Sequence, residues 1–480
     1  MIRKASPYVL SLLLLLLAFP PFSLWPLAFF ALVPLLLPPP LTAFPPLPWG
    51  GLLHCGLLYW IVGVLIRHGG MPWSLSVLAG LLLYLYLSLF LLPPLLLWNP
   101  RRPWLLPFLF LFFELLQEYL LTGFPWAILA DSQASNPFVR GLWPLVGVRG
   151  VSFLIVAVNV GLALAVQKRR LRPAAVPLGL FFLCSLLVFL PLPRQGKRVR
   201  VGAVQGNAAM EKDWTGEDLI REFSFYRDET RRLFRAGADL VVWPEFSFPF
   251  YPRYQYSLTE AVQSLVPEGG RVLVAGGNDR WEGRDYNTAF VFHRDRWEGY
   301  YKVHLTPFGE YIPFRFLFPF AKRIAHVEGE FTPGKVVRLF SAGGFSFATP
   351  ICYEVVFPSL VSRFSRQGPG MIVTITNDGW FGATSGPYQH LGIARIRAME
   401  ASLPLIRAAT TGVSVLYSAR GKEIARVGYN QRGTLRGEVA LSGGISPYHR
   451  YFSLWEGFWA LAGILSLLLS LRASRRSDKG

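Results

Sequence analysis

From Tyr8 onward the chain is apolar over long stretches, broken only by short polar or proline-bearing gaps. The runs are Tyr8 to Phe19, Leu24 to Leu41, Leu52 to Ile66, Ser74 to Trp98, Trp104 to Leu121, Phe153 to Val166 and Ala174 to Leu192. About 20 apolar residues suffice for a helix to cross a bilayer, so the pattern predicts seven spans, with an eighth over Leu454 to Leu471. No small-x-small cleavage site follows the first run, and further apolar runs succeed it at once, so it reads as a retained helix rather than a signal peptide.

Between the seventh and eighth runs the pattern changes to short apolar segments separated by polar ones. Arg198 to Gln205, Leu240 to Trp243, Arg271 to Ala275, Asn287 to Phe292, Phe345 to Ile351, Met371 to Thr376, Leu405 to Ala409 and Val413 to Tyr417 read as strands. Glu217 to Ala236, ended by Gly237, and His390 to Ser402 read as helices. Alternating strands and helices predict a layered α/β domain with its sites at strand ends. The expected division is a seven-helix transmembrane domain over residues 1–193, an α/β domain over 194–451, and a closing helix with a basic tail over 452–480.

Composition agrees with a membrane setting. The 480 residues are 52% hydrophobic and only 16% charged, against about 25% charged in soluble domains. The net charge of +19 does not imply nucleic acid, because zinc spacing and stacking-platform motifs are absent from the sequence. Basic clusters instead flank the apolar runs: Arg3 and Lys4; Arg101 and Arg102; Lys168, Arg169, Arg170 and Arg172; Arg472, Arg475, Arg476 and Lys479. In a seven-plus-one arrangement all four fall on one side, which the positive-inside rule makes the cytoplasm. The 194–451 domain then lies outside.

Three strand ends or turns carry chemistry. Glu245 follows Trp243-Pro244 at the end of a buried strand, Lys302 follows an aromatic pair, and Cys352 ends an apolar strand at Thr349-Pro350-Ile351. A strand that delivers a nucleophile into a sharp turn exposes it to substrate. Glu, Lys and Cys together can perform acyl transfer: thiolate attack, proton transfer by the carboxylate, and oxyanion stabilisation by the ammonium. Each residue also has a bland reading, as a core thiol, a turn carboxylate and a solvated amine. His304 and His390 offer a Cys–His pairing, in a context unlike known Cys–His signatures. Cys55 and Cys184 lie in apolar runs, and no cysteine pair has metal-site or disulfide-framework spacing.

These segments resemble the nitrilase, or carbon–nitrogen hydrolase, superfamily, whose Glu-Lys-Cys triad they match at Glu245, Lys302 and Cys352. Further segments are similar to the apolipoprotein N-acyltransferase family within it: Val204-Gln205-Gly206-Asn207 with Trp214, Tyr286-Asn287-Thr288, Lys302 to Glu310, Asn377-Asp378-Gly379-Trp380-Phe381-Gly382, and Thr122 to Trp126. Thr410-Thr411-Gly412 stands where Asn-Thr-Gly is usual in that family, and Thr349-Pro350 where small or aliphatic residues are expected.

The resemblance implies a polytopic α-helical membrane domain joined to an αββα, nitrilase-like extracytoplasmic domain. It implies transfer of an acyl chain from a membrane phospholipid, through a Cys352 thioester, to the α-amine of a lipoprotein's N-terminal diacylglyceryl-cysteine, at the bacterial inner membrane facing the periplasm. By the same carry-over Glu245 is the base, Lys302 the oxyanion partner, Glu310 the group that orients Lys302, and Tyr353 and Glu354 shape the site. Trp214, Asn287 and Trp380 are supporting or substrate-facing. No metal or other cofactor is implied. Phe314 to Phe320 reads as an aromatic arm entering lipid, and Gly379 and Gly382 flank a possible lid at Trp380-Phe381. Two other classes stay open: a membrane-tethered amidase using water as acceptor, and a non-catalytic membrane scaffold.

Overall fold

The computed structural model describes residues 2–37, 46–189, 195–208, 215–247, 250–313 and 330–477. The chain forms two compact units: Met1–Ile66, Pro72–Leu190 and Arg450–Gly480 make one, and Arg67–Met71 with Pro191–His449 the other.

The first unit is helical. Among the described residues four helices are long and apolar enough to cross a membrane: Trp73–Leu96, Trp143–Lys168, Arg172–Phe189 and Phe452–Ala473. A fifth crossing is formed if Leu47–Leu58 and Trp60–Arg67, bent by 59°, count as one. Ile2–Ala18 and Leu105–Tyr119 are shorter helices. The run expected as one helix from Leu24 is instead a 3-10 turn, Trp25–Phe29, followed by Val33–Leu36. Pro26 and Pro34 lack the amide that a continuous helix needs. Backbone groups freed by the break need partners inside a bilayer. Buried Asn159 supplies them: its Oδ1 accepts from the amides of Leu32 (2.8 Å) and Val33 (3.2 Å), and its Nδ2 donates to the Ala28 carbonyl (2.9 Å). The same unit buries charge, with Arg149 donating to Glu118 and lying 3.9 Å from Glu456.

The second unit contains two six-stranded sheets among its described residues. Its strands are β1 (Gln195–Gln205), β2 (Leu240–Val242), β3 (Val272–Trp281), β4 (Arg284–Phe292), β5 (Trp297–Tyr301), β6 (Leu339–Ala342), β7 (Phe345–Ala348), β8 (Met371–Thr376), β9 (Leu405–Ala409), β10 (Ser414–Tyr417), β11 (Glu423–Val427) and β12 (Gly433–Ser442). One sheet runs β12-β1-β2-β3-β4-β5, the other β11-β10-β9-β8-β7-β6. The sheets are tied face to face where Gln205 of β1 accepts from the Ser414 amide (3.1 Å) and hydroxyl (2.5 Å) of β10.

A helix, Gly216–Arg235, begins at a capping box between Thr215 and Asp218. It buries Tyr226, Leu233 and Phe234 against Val241, Trp243, Leu273 and Phe290 of the first sheet. Helices Pro358–Ser365 and Gly386–Ala401 accompany the second sheet. The layers are helix, sheet, sheet, helix, as the strand–helix alternation implies. Strands β8 and β9 match their sequence expectations, whereas β5, β6, β11 and β12 were not expected. β11 is mostly exposed, and β12 alternates between buried and exposed positions, so neither forms a continuous apolar run. β7 ends at Ala348, three residues before the apolar run does, because Pro350 cannot donate to a ladder.

Candidate functional site

Strand ends gather the site. β2 stops at Val242, and Trp243 anchors the exit by donating to Thr230 (2.7 Å). Glu245 then turns inward and is only 2% exposed. β3 passes so close that a Cβ on Gly276 would stand 2.5 Å from the Glu245 Cα; only glycine permits that approach. β5 ends at Tyr301, and Lys302 follows it into the interior, 1% exposed.

A buried ammonium must be paired. Lys302 Nζ meets Glu245 Oε1 at 3.4 Å and Glu310 at 2.9–3.0 Å. Asn287 of β4 ties both carboxylates together, its Nδ2 donating to Glu245 Oε1 (2.7 Å) and Glu310 Oε1 (2.5 Å). The Asn377 amide donates to Glu245 Oε2 (2.9 Å), and the Thr306 amide to Glu310 Oε2 (2.7 Å). Burial pulls the Lys302 ammonium down, but Glu310, Glu245 and Cys352 outweigh it and hold the group well above the ordinary lysine range. Lys302 is therefore a fixed positive charge.

Cys352 opens a 3-10 turn with φ +49°, a left-handed conformation that a side chain rarely adopts. The sequence expectation was an exposed nucleophile; the thiol is instead buried, 9% exposed, beneath the surrounding turns. Burial pushes the thiol up, and so does Glu245, whereas Lys302 and the Thr376 hydroxyl at 3.2 Å pull it down. All three residues expected to do the chemistry thus act electrostatically on one another in one buried cluster.

Glu354, fully buried, braces two sides of it. Oε2 accepts from the Ile351 amide (2.7 Å), just before Cys352. Oε1 accepts from the Tyr300 hydroxyl (2.8 Å) and the amides of Val303 (2.7 Å) and His304 (3.1 Å), either side of Lys302. Burial raises its carboxyl to about 7 against those donors. The turn of Cys352 and the loop of Lys302 hang on one side chain.

Two family models match the chain. That described as "Apolipoprotein N-acyltransferase N-terminal domain" covers residues 11–161, and "Carbon-nitrogen hydrolase" covers 200–446. An apolipoprotein N-acyltransferase from Geobacter metallireducens is 32% identical, over 98% of this chain and 95% of its own length. One from Azotobacter vinelandii is 33% identical, over 95% and 92%.

The chain belongs to the apolipoprotein N-acyltransferase family.

Among solved structures, an amidase from Nesterenkonia sp. is similar at 20% identity and TM-score 0.40, covering 56% of this chain and 99% of that one. A nitrilase-superfamily member from Saccharomyces cerevisiae is similar at 19% and 0.40, covering 52% and 92%. Its apolar helices and its family together make this a membrane protein, an acyltransferase with a carbon–nitrogen hydrolase domain.

The remaining site expectations distribute as follows. Tyr353 is buried beside Cys352, its ring 5.0 Å from Phe357. Trp380 is half-buried, its ring 4.7 Å from that of His68. Trp214 and the aromatic arm, Phe314 to Phe320, lie outside the described residues. Thr410, where the apolipoprotein N-acyltransferase family usually has asparagine, donates to the Glu245 carbonyl (3.3 Å). Neither histidine pairs with the thiol: His304 lies tilted against Phe357 (ring centroids 3.8 Å apart), and His390 Nε2 faces the Cys352 carbonyl oxygen (3.1 Å).

In the layer beneath Cys352, sequence reasoning missed Thr376 and Arg407; it had Asp378 only as a motif member and His390 only as a possible partner of the thiol. One signal was available. Arg407 sits in the middle of Leu405–Ala409, a wholly buried strand, where a guanidinium demands a partner.

Proposed function

We propose that this protein N-acylates lipoproteins by a two-step exchange on Cys352. The observation that carries the reading is the buried assembly of Glu245, Lys302 and Cys352 in a chain of this family. In the first step the Cys352 S–H proton passes to the Glu245 carboxylate, and the sulfur attacks the acyl-ester carbonyl of a membrane phospholipid. The carbonyl oxygen becomes an oxyanion opposite Lys302 Nζ. Collapse expels the lysophospholipid alkoxide, which takes the proton back from Glu245, and a thioester remains. In the second step the α-amine of a lipoprotein's N-terminal diacylglyceryl-cysteine attacks the thioester, gives a proton to Glu245, and the thiolate leaves. Asn287, Glu310 and the Asn377 amide keep the base aimed; Glu354 and Tyr353 hold the nucleophile's turn. This would be the last step of lipoprotein maturation.

The setting proposed is the bacterial inner membrane. If the seven apolar runs before the catalytic domain and the one after it each cross the membrane, all four basic clusters fall on the cytoplasmic side and the domain over residues 194–451 in the periplasm. Both lipid substrates are then at hand. A thiol or protease probe applied to cells stripped of their outer barrier should reach that domain; full protection would overturn the orientation.

The chemical test uses the full-length protein in detergent with a phospholipid carrying a labelled acyl chain. Intact mass and peptide mapping should find a hydroxylamine-labile adduct on Cys352, discharged by a diacylglyceryl peptide amine. Cys352→Ala should give none, and Lys302→Ala should slow its formation about 10²- to 10³-fold, the usual loss for an oxyanion donor. Acylation of Cys352 by a small amide but by no phospholipid would replace the proposal with a tethered amidase.

A further inference from the structure

The thiol's immediate hydrogen-bonding partner is neither Glu245 nor Lys302. Thr376 Oγ1, at the end of β8 and fully buried, lies 3.2 Å from Cys352 Sγ and 3.1 Å from Asp378 Oδ1. A hydroxyl has one proton and cannot donate to both. While sulfur holds its proton, S–H donates to Thr376 and Thr376 donates to the carboxylate. Once the proton has left for Glu245, the same O–H can rotate to the thiolate, breaking no covalent bond.

Asp378 can release that donor because it is otherwise satisfied. Arg407 Nη2 donates to both of its oxygens (2.7 and 2.6 Å). Gly412 packs against it so closely that a Cβ there would stand 2.2 Å from Oδ2. His390 completes the layer. Its Nε2 faces the Cys352 carbonyl, an acceptor, so Nε2 carries a proton; its Nδ1 lies 3.0 Å from the Asp378 carboxylate, a second acceptor, and 3.1 Å from Arg407 Nη2. Burial, then the Arg407 charge, pulls the imidazole below its ordinary range, against the hydrogen bonds to Asp378 and to the Cys352 carbonyl, which favour its protonated form. The Nε2 donation pins the carbonyl of the one residue held at φ +49°. A non-glycine residue in that region is strained and persists only where its surroundings over-determine it.

We propose that Thr376 stabilises the Cys352 thiolate by turning its hydroxyl from Asp378 to sulfur, and that His390, held by Arg407 and Asp378, is the positioning residue that keeps Cys352 in its strained turn. The inference rests on Cys352 reacting as a thiolate. The charges facing that thiol are Glu245, Lys302 and Asp378.

Its test is the rate of iodoacetamide alkylation at Cys352, read by peptide mapping of the full-length detergent-solubilised protein across pH 6 to 10. A hydrogen bond to a charged group contributes about 1.5–3 kcal/mol, and 1.36 kcal/mol is one pH unit. Thr376→Val should therefore move the rise in rate upward by about one unit or more and cut the rate at pH 8 at least tenfold; Thr376→Ser should restore both. A Thr376→Val profile lying on the wild-type curve overturns the thiolate role, and Thr376→Ala repeats the comparison if the valine variant misfolds. His390→Asn, which cannot reach the carbonyl, should slow alkylation about tenfold while leaving the pH of the rise in place. His390→Gln, whose amide nitrogen stands near the Nε2 position, should recover most of that loss, and equal rates for the two variants would reject the positioning role. Wild-type protein that alkylates normally yet forms no phospholipid adduct rejects the acyl-transfer reading alone; the alkylation profiles still decide Thr376 and His390.

Discussion

At the scale of single residues, the site is an exercise in keeping buried charge satisfied. Lys302 is enclosed by Glu245 and Glu310, and Asn287 spans both. Removing one member of a buried pair leaves an uncompensated charge and costs about 3–5 kcal/mol, so these side chains serve stability alongside the chemistry proposed for them. Glu354 shows the same economy with backbone groups. Glu354→Ala would strand the Ile351, Val303 and His304 amides and the Tyr300 hydroxyl, at about 1–3 kcal/mol for each group left without a partner. The expected result is a large fall in melting temperature and slow acylation of Cys352. A variant with wild-type melting and acylation would remove Glu354 from both roles. In the sequence, Glu354 and Glu310 were visible as members of motifs. The partners of Glu354 on the Lys302 loop were not, because hydrogen bonds between residues 50 to 54 positions apart leave no local pattern.

Elements were legible where burial imposed a period. β2, β8 and β9 are short, wholly apolar except for functional insertions, and their extents came close to what the sequence implied. Edge strands lacked that signal, since half or more of their positions face water. In the helical unit apolar runs marked where helices lie but not where they break. The break after Phe29 holds because Asn159, 126 and more positions away, takes up the freed amides and carbonyl. Asn159→Leu should lower the melting temperature of the detergent-solubilised protein, by the equivalent of about 1–3 kcal/mol for stranded buried groups. An unchanged melting temperature would mean that the break needs no such partner. Arg149 between Glu118 and Glu456 makes a parallel case: Arg149→Met should destabilise by about 3–5 kcal/mol, because it leaves buried carboxylates without their cation.

For the whole molecule, acid should be the weak direction. His449 is fully buried, and burial, followed by the nearby Arg397, depresses it to about 3. An unfolded histidine titrates near 6.5. Below about pH 6.5 unfolding therefore takes up a proton that the folded state refuses, and stability falls as pH drops toward 3. His390 is displaced in the same direction. Glu354 opposes them, since a carboxyl raised to about 7 makes the folded state favour its proton between about 4.5 and 7. Thermal melting from pH 7.5 to 4.5 should fall less steeply for His449→Phe than for the wild type; parallel curves would show that His449 does not contribute.

The sequence by itself determined the fold class of this protein, a helical membrane part joined to a layered α/β domain. Long apolar runs can lie only in lipid or in a core, basic clusters flank them, and short buried runs between helices make an α/β layer. It also marked Glu245, Lys302 and Cys352, because each stands at the end of an apolar segment where a polar side chain has a reason to be. What only the tertiary structure decided is which polar groups meet. Asn287 between two carboxylates, Glu354 bracing two loops, Asn159 filling a helix break and His390 on a carbonyl rather than on sulfur all depend on distances across the fold. Desolvation makes each of those meetings obligatory, since a buried polar group without a partner is costly, but it does not say in advance which partner will be near.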